Sequence, residues 1–523
     1  MLAYGTVTPS SERAISEASD ELRVAVTFPT ATGIPGLTKF EAPLSTATVS
    51  RFLPDPVNVD RAIHELSKLG FELTKRGRLS ASMRVSRRDY EATFGTRLAK
   101  FEPDPKQGYS LRSFLFPPEG APWKPSPGLE TLIDDAYIQW PHIYMAAKGR
   151  TPRSSASSRS GKKRTPRAGG KGPSVKPPHV KYFHLAMPKD VPRLLRAKEV
   201  HEAGVTGKGV RVVMVDSGFA HRSHPFFAAH RFTSTVDLAP HAVGDRTDPN
   251  GHGTGESTNV FAVAPGATFI GVKVDNDVSP SDGASMLEGF QAAMEHRPHV
   301  ITISMGYDLR GARGQLSLLP NSLAALEAEV QSAVAAGVVV IFSAGNGHFS
   351  FPGMMPDVIS AGGVYVDRAG RMQASDYASA FQSKIYSGRH VPDFCGLVGL
   401  LPHASYIMLP IPPGCEIDHD EANPNDGEPG DETRPDDGWG VFSGTSAAAP
   451  QLAGVCALLL EKNPRLTPSD IKAILRRTAR DVAVGHANAA SSDDMRTPLQ
   501  ASAGDDGATG AGLVDALAAF QQV

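Results

Sequence analysis

Ser446 stands in Ser443-Gly444-Thr445-Ser446-Ala447-Ala448-Ala449-Pro450, just ahead of the apolar run 452–460. Small residues around one hydroxyl, followed by apolar residues, predict a serine at the start of a buried helix. The first unpaired N–H groups and the positive end of the helix dipole lie there. A serine hydroxyl attacks poorly at neutral pH unless a base takes its proton and a third group orients that base. Two residues suit those roles. His252 lies in Asn250-Gly251-His252-Gly253-Thr254-Gly255, with glycine on both sides leaving room for backbone or substrate. Asp216 ends an apolar stretch as Asp216-Ser217-Gly218, where a carboxylate is costly unless a cation or an N–H meets it. Taken singly, each has a plainer reading: an N-cap on an alanine-rich core helix, a loop histidine, a strand-end cap. Together, in the order Asp, His, Ser, they point to nucleophilic chemistry.

These residues need a scaffold. From about residue 191 the pattern alternates strand and helix: strands at 210–215, 268–274, 300–304 and 338–342, helices at 286–295 and 323–335. That alternation predicts an α/β fold, a doubly wound, mostly parallel sheet covered on both faces. Functional groups collect at the carboxyl ends of such strands, where Asp216 and Asn346 fall. Further upstream the order is strand (22–28), helix (Val59, Ile63, Leu66, stopped at Gly70), strands (71–75, 79–85), helix (through Tyr90 and Phe94, ending at Gly95) and strand (98–101). That is the split βαβ order of a small α+β, ferredoxin-like unit. Between them, 148–176 carries ten Lys and Arg, no acid, and many Ser, Gly and Pro. It cannot build a core and reads as a flexible linker. The alternative, a nucleic-acid arm, lacks interleaved aromatics.

A chain of 523 residues makes two or three domains the expectation. With 41% hydrophobic residues, 21% charged and a net charge of -2, it has no global pull toward nucleic acid or membrane. Neither partner is expected. Cys395, Cys415 and Cys456 are too few for a disulfide framework and have no zinc-like spacing; Cys456 reads as a core thiol. No apolar run of signal-peptide length opens the sequence, so a cytoplasmic, reducing compartment is expected, with secretion by an unrecognised route as the alternative.

Asp216-Ser217-Gly218, Asn250-Gly251-His252-Gly253-Thr254, Ser343-Ala344-Gly345-Asn346 and Gly444-Thr445-Ser446-Ala447-Ala448-Ala449-Pro450 resemble the four signature blocks of the subtilisin-like serine proteases, or subtilases. Their order is the one the family shows. The resemblance spans about 191–523. It implies a serine endopeptidase with Asp216, His252 and Ser446 as catalytic triad and Asn346, with the Ser446 N–H, as oxyanion hole. It also implies substrate binding along Ser304, Met305 and Gly306 and beside Ala344 and Gly345; with no charge in either stretch, an apolar or undemanding pocket is expected. No cofactor is implied for the chemistry and no metal ligand is assigned, although subtilases often carry structural calcium. Residues 1–147 then read as a prodomain, a folding aid and inhibitor of the chain's own active site, 148–185 as the basic linker, and 186–523 as the catalytic domain. Arg87-Arg88-Asp89-Tyr90-Glu91-Ala92-Thr93-Phe94-Gly95-Thr96 also resembles the propeptides of the related sedolisins. Partners are a protein or peptide substrate and the N-terminal domain itself. A latent enzyme released by a partner, or a non-catalytic binding module on this fold, are the alternatives.

Two departures stand out. After His252-Gly253-Thr254 the family usually has a second His, whereas this chain has Gly255-Glu256-Ser257. Glu256 is expected either to face solvent as a helix-start charge or to raise the His252 pKa. The stretch 416–437 holds ten acids against one Arg434. It reads as a solvated mobile loop, with a calcium site or attraction to the basic linker as alternatives.

Overall fold

The computed structural model describes residues 5–8, 21–34, 36–37, 43–103, 113–144, 172–401, 406–423, 430–442, 444–492 and 494–523. The C-terminal body is a doubly wound sheet. Its strands run in the order Ser234–Leu238, Thr268–Lys273, Arg211–Asp216, Val300–Ile303, Val339–Ser343 and Ile359–Val366, all parallel. Phe394–Leu397 adds a further parallel pairing and Met372–Ala374 an antiparallel edge. Side-chain alternation explains why both faces are covered. Val212 and Met214 enter one apolar cluster with Val260, Val263, Leu452 and Val455, whereas Val213 and Val215 enter another with Leu287, Phe290, Leu326 and Val330. The first face therefore carries the helices His252–Val263 and Thr445–Lys462. The second carries Met286–Glu295 and Ala324–Ala335. Each such buried Val or Leu is worth about 1.5–3 kcal/mol.

The N-terminal domain is a four-stranded antiparallel sheet in the order Glu72–Arg76, Ser80–Ser86, Glu21–Thr27, Asp135–Ile138. The helix Pro56–Lys68 opens on Asp55, whose side chain accepts from Val57 N, and Arg87–Phe94 opens on Ser86, which accepts from Asp89 N. The ferredoxin-like order is present, but its closing strand is 135–138. The expected 98–101 strand instead forms Ala99–Pro103, which pairs with Gly5–Thr8 and Phe114–Phe116 in a separate sheet. Its apolar alternation suits either sheet, and only long-range pairing decides between them.

Ser80–Ser86 shows how the two bodies meet. Ala81, Met83 and Val85 face the domain's own helices in one apolar cluster. The alternate residues face the helices of the C-terminal body. Ser82 Oγ donates to Gln291 Oε1 (2.8 Å), Gln291 Nε2 to Ser80 Oγ (3.1 Å), and Arg84 Nη2 to the Gly283 carbonyl (3.1 Å). Glu329, on Ala324–Ala335, accepts from Arg78 N, Leu79 N, Ser80 N and Ser80 Oγ at 2.7–3.0 Å. The strand is thus buried on both faces, one apolar and one polar.

The basic stretch falls largely outside the described residues; 172–185, expected in the linker, is docked on the C-terminal body. Trp439 Nε1 donates to Ser174 O (3.1 Å), and Leu185–Ala186 pairs with Ile407–Met408. Val180, Tyr182 and Phe183 join the core there, which the polar composition further upstream conceals. Among the described residues no helix is long and apolar enough to cross a membrane.

Candidate active site

Asp216 is the last residue of the strand Arg211–Asp216 and is fully buried. Its Oδ1 accepts from Ser217 N (2.7 Å) and from His252 Nδ1 (2.8 Å); its Oδ2 is buried without a hydrogen-bond partner among the described residues. His252 opens its helix behind Gly251, which has a φ of 95°, in the left-handed region that favours glycine. A Cβ on Gly253 would lie 2.4 Å from the Gly218 carbonyl, so the flanking glycines let the imidazole close onto Asp216. Asp248, which the sequence reading missed, pins this turn. Its carboxylate accepts from Gly251 N (3.0 Å), Thr254 N (2.9 Å), Thr254 Oγ1 (2.7 Å) and Ser217 Oγ (2.9 Å). An Asp four residues ahead of a helix-starting His was the available signal.

Burial alone would lower the His252 pKa. The charge and hydrogen bond of Asp216, backed by Glu256 and Asp248, override it and raise the imidazole to about 9. Glu256 lies one helical turn beyond His252 and is 1% exposed, so the expectation of a solvent-facing helix-start charge is overturned. Gly255, with no side chain, lets Phe442 and Ile411 close over this turn. Burial raises the Glu256 carboxyl, against the facing imidazole and the Asn259 amide, whose Nδ2 donates to Glu256 Oε2 at 2.9 Å.

Ser446 is the second residue of the helix Thr445–Lys462. Pro450, four residues on, has no N–H to offer the Ser446 carbonyl, and Ser304 Oγ donates to that carbonyl instead (3.0 Å). Ser446 Oγ donates to the Ser304 carbonyl (3.4 Å), so the two segments are tied twice. Thr445 was also missed. Its N and Oγ1 donate to Asn346 Oδ1 (2.9 and 3.0 Å), and its Oγ1 accepts from Gly345 N (3.1 Å). This turns the Asn346 amide nitrogen toward the start of the helix, where a Cβ on Gly444 would meet it at 2.7 Å. Phe442, just upstream, has its ring 6.2 Å from that of His252. Ala344 is buried, its N–H held by the Ala361 carbonyl.

Met305 and Gly306 open the strand Met305–Asp308, and a two-residue strand of the N-terminal domain, Ile143–Tyr144, lies antiparallel to it. Met305 faces Tyr144 and Gly306 faces Ile143, so the added strand runs toward Ser304. The Tyr144 ring sits 5.4 Å from the His252 ring. Sequence reasoning had no means of finding this contact between residues 108 apart.

The described part of the acidic stretch is not a solvated loop. Glu416–Ala422 is a helix whose buried Asp418 accepts from Gly414 N (2.7 Å) and Gly438 N (3.2 Å), while Asp437 accepts from Arg434 N (3.0 Å) and Trp439 N (3.1 Å). Residues 424–429 lie outside the described residues. Among the described residues no group of three or more His, Cys, Asp or Glu is placed to hold a metal ion. All three cysteines are buried free thiols.

Residues 207–512 match the model of the subtilase family. Serine protease AprX of Bacillus subtilis (strain 168) is 30% identical over 312 residues, covering 54% of this chain and 64% of that protein. Subtilisin E of the same organism is 27% identical over 301 residues, with the same coverage. The chain thus spans just under two thirds of the length of these relatives. Fervidolysin from Fervidobacterium pennivorans, described as a keratinolytic enzyme related to subtilisin, shares the fold with a TM-score of 0.52 at 17% identity, covering 96% of this chain and 61% of that structure. With more than half of its length matched by the family model and the Asp, His, Asn and Ser blocks assembled on one sheet edge, the chain belongs to the subtilase family.

Proposed function

We propose that this protein is a serine endopeptidase that hydrolyses peptide bonds through an acyl-enzyme. The buried 2.8 Å hydrogen bond between His252 Nδ1 and Asp216 carries the reading, because it leaves Nε2 as the face of the ring that can take a proton. Asp216 orients the imidazole and stabilises its cation, His252 is general base and then general acid, and Ser446 is the nucleophile. Its hydroxyl, which donates to the Ser304 carbonyl, has to turn to His252 for the attack. The Asn346 amide, fixed by Thr445, and the Ser446 N–H meet the oxyanion; one such donor is worth about 3–4 kcal/mol. Water is the second substrate, and these groups supply the chemistry without a cofactor.

The substrate adds as a strand beside Met305 and Gly306. Ile143–Tyr144 holds that place, which supports reading the N-terminal domain as an inhibitor of its own active site and favours a latent full-length chain. Its polar interface with the helices Met286–Glu295 and Ala324–Ala335 supports a role as folding template. A non-catalytic binding module is not favoured, since it would have no use for a buried carboxylate held against an imidazole with its second oxygen unpartnered among the described residues. The test is hydrolysis of a denatured protein by the purified chain after limited proteolysis has removed its N-terminal domain, beside Ser446→Ala treated alike. Cleavage by the first alone is expected; equal activity, or none from either, contradicts the proposal.

A further inference from the structure

Tyr144 occupies the place a substrate residue would take, so its side chain reports what that place accepts. Its ring lies against His252, and its hydroxyl donates to Asp275 Oδ1 at 2.9 Å. Asp275 follows Val274 directly beyond the strand Thr268–Lys273, at the carboxyl edge that also carries Asp216. The backbone places it there, its carbonyl accepting from Val243 N (3.2 Å). The neighbouring cation does not point to it: Lys273 Nζ is engaged by Asp277 Oδ1 (2.5 Å) and the Thr247 carbonyl (2.8 Å). Among the described residues, the charged and titratable groups around the Tyr144 ring are Asp275, Asp216 and Asp248, with the His252 and His142 rings in contact with it. Burial first, and then the field of these three carboxylates, pushes the phenol well above its ordinary value. The phenol proton is therefore held firmly; for a positive tip the carboxylate field is favourable, whereas burial opposes the charge.

Resting on the protease reading above, we infer that Asp275 is a specificity-determining residue. It selects, at the substrate position that pairs with Met305, a side chain joining an apolar stem that covers the His252 ring to a terminal hydrogen-bond donor: tyrosine, lysine or arginine. The undemanding pocket expected around Ala344 and Gly345 is a different place, and discrimination falls on this subsite instead. A side chain whose tip donates to Asp275 gains a hydrogen bond that the analogue without the donor cannot make.

The test uses the full chain activated by limited proteolysis of its N-terminal domain, and fluorogenic peptides carrying Tyr, Phe, Lys or norleucine in turn at each position before the bond that is cut. At one position, kcat/KM is expected to favour Tyr over Phe and Lys over norleucine, each by about tenfold. Asp275→Ala should remove both preferences. Asp275→Asn, which keeps an acceptor but not the charge, should keep part of the first and lose the second. Turnover with flat ratios in all three chains overturns the inference while leaving the protease reading intact. Absence of turnover together with unreactive Ser446 contradicts the protease reading itself. The contact is also readable without turnover, in the Ser446→Ala chain. Tyr144→Phe and Asp275→Ala should each reduce hydrogen-exchange protection of the Ile143–Tyr144 strand by about tenfold, and the double variant by no more than either; additive losses overturn it.

Discussion

Asp216 and Glu329 are both buried carboxylates, and they are built differently. Asp216 has one oxygen shared between a backbone N–H and the His252 imidazole, and the other without a hydrogen-bond partner among the described residues. Glu329 spreads four donors over both oxygens, three of them backbone N–H groups of the N-terminal domain. Burial raises the Glu329 carboxyl, and those donors oppose it. A carboxylate whose main partner can itself lose a proton suits the chemistry proposed for Asp216, because its field raises that partner's pKa. A carboxylate ringed by donors that do not titrate holds two surfaces together. What surrounds the group matters more than its burial.

The widest separation between the two should come from Asp216→Asn. The isostere keeps the fold but favours the wrong imidazole tautomer, and kcat should fall by about 10⁴-fold with little change in melting temperature. A comparable fall for Glu329→Gln would erase the distinction. Glu329→Ala comes next: with the four donors left unmet, exchange protection of the Ser80–Ser86 amides should drop by about a hundredfold or more, at 1–3 kcal/mol per buried donor. Glu329→Gln should act more weakly, since a single amide oxygen can still serve Leu79 and Ser80 while the –NH₂ opposes Arg78 N. If Gln were as harmful as Ala, the polar contacts would not be what holds the interface.

Glu256 sharpens the comparison from the catalytic side and gives the smallest effect. His252 must be neutral to accept a proton, so activity rises as pH climbs through its pKa. Glu256 is one of the negative charges that raise that pKa. Glu256→Gln removes the charge, so the acidic limb of the kcat/KM profile should move to lower pH; a limb that stays in place would show the two groups uncoupled.

The residues proposed as a triad were legible as candidates because each announces itself locally: Asp216 by a strand end, His252 by flanking glycines whose side chains would collide, Ser446 by the small residues of its helix start. The parallel sheet was legible from the same local alternation. What escaped depended on partners distant in the sequence. Nothing around 98–101 says that it pairs with residues 5–8, and nothing around 135–138 says that it completes the N-terminal sheet. Glu256 was placed beside His252 correctly, but its burial depends on Phe442 and Ile411, which lie more than 150 residues downstream. The acidic stretch looked solvated because composition cannot show that Gly414 N and Gly438 N wait for Asp418.

The central claim is that Ser446 is a nucleophile whose access is controlled by the chain's own N-terminal domain. It is tested most directly by exposing the purified chain and its Ser446→Ala variant to a serine-directed phosphonate and weighing both intact. The account expects one phosphonate adduct on Ser446 in the unsubstituted chain, none in the variant, and a variant chain that stays full length while the other is shortened. No adduct on either, even after limited proteolysis of the N-terminal domain, and identical chain lengths would contradict it.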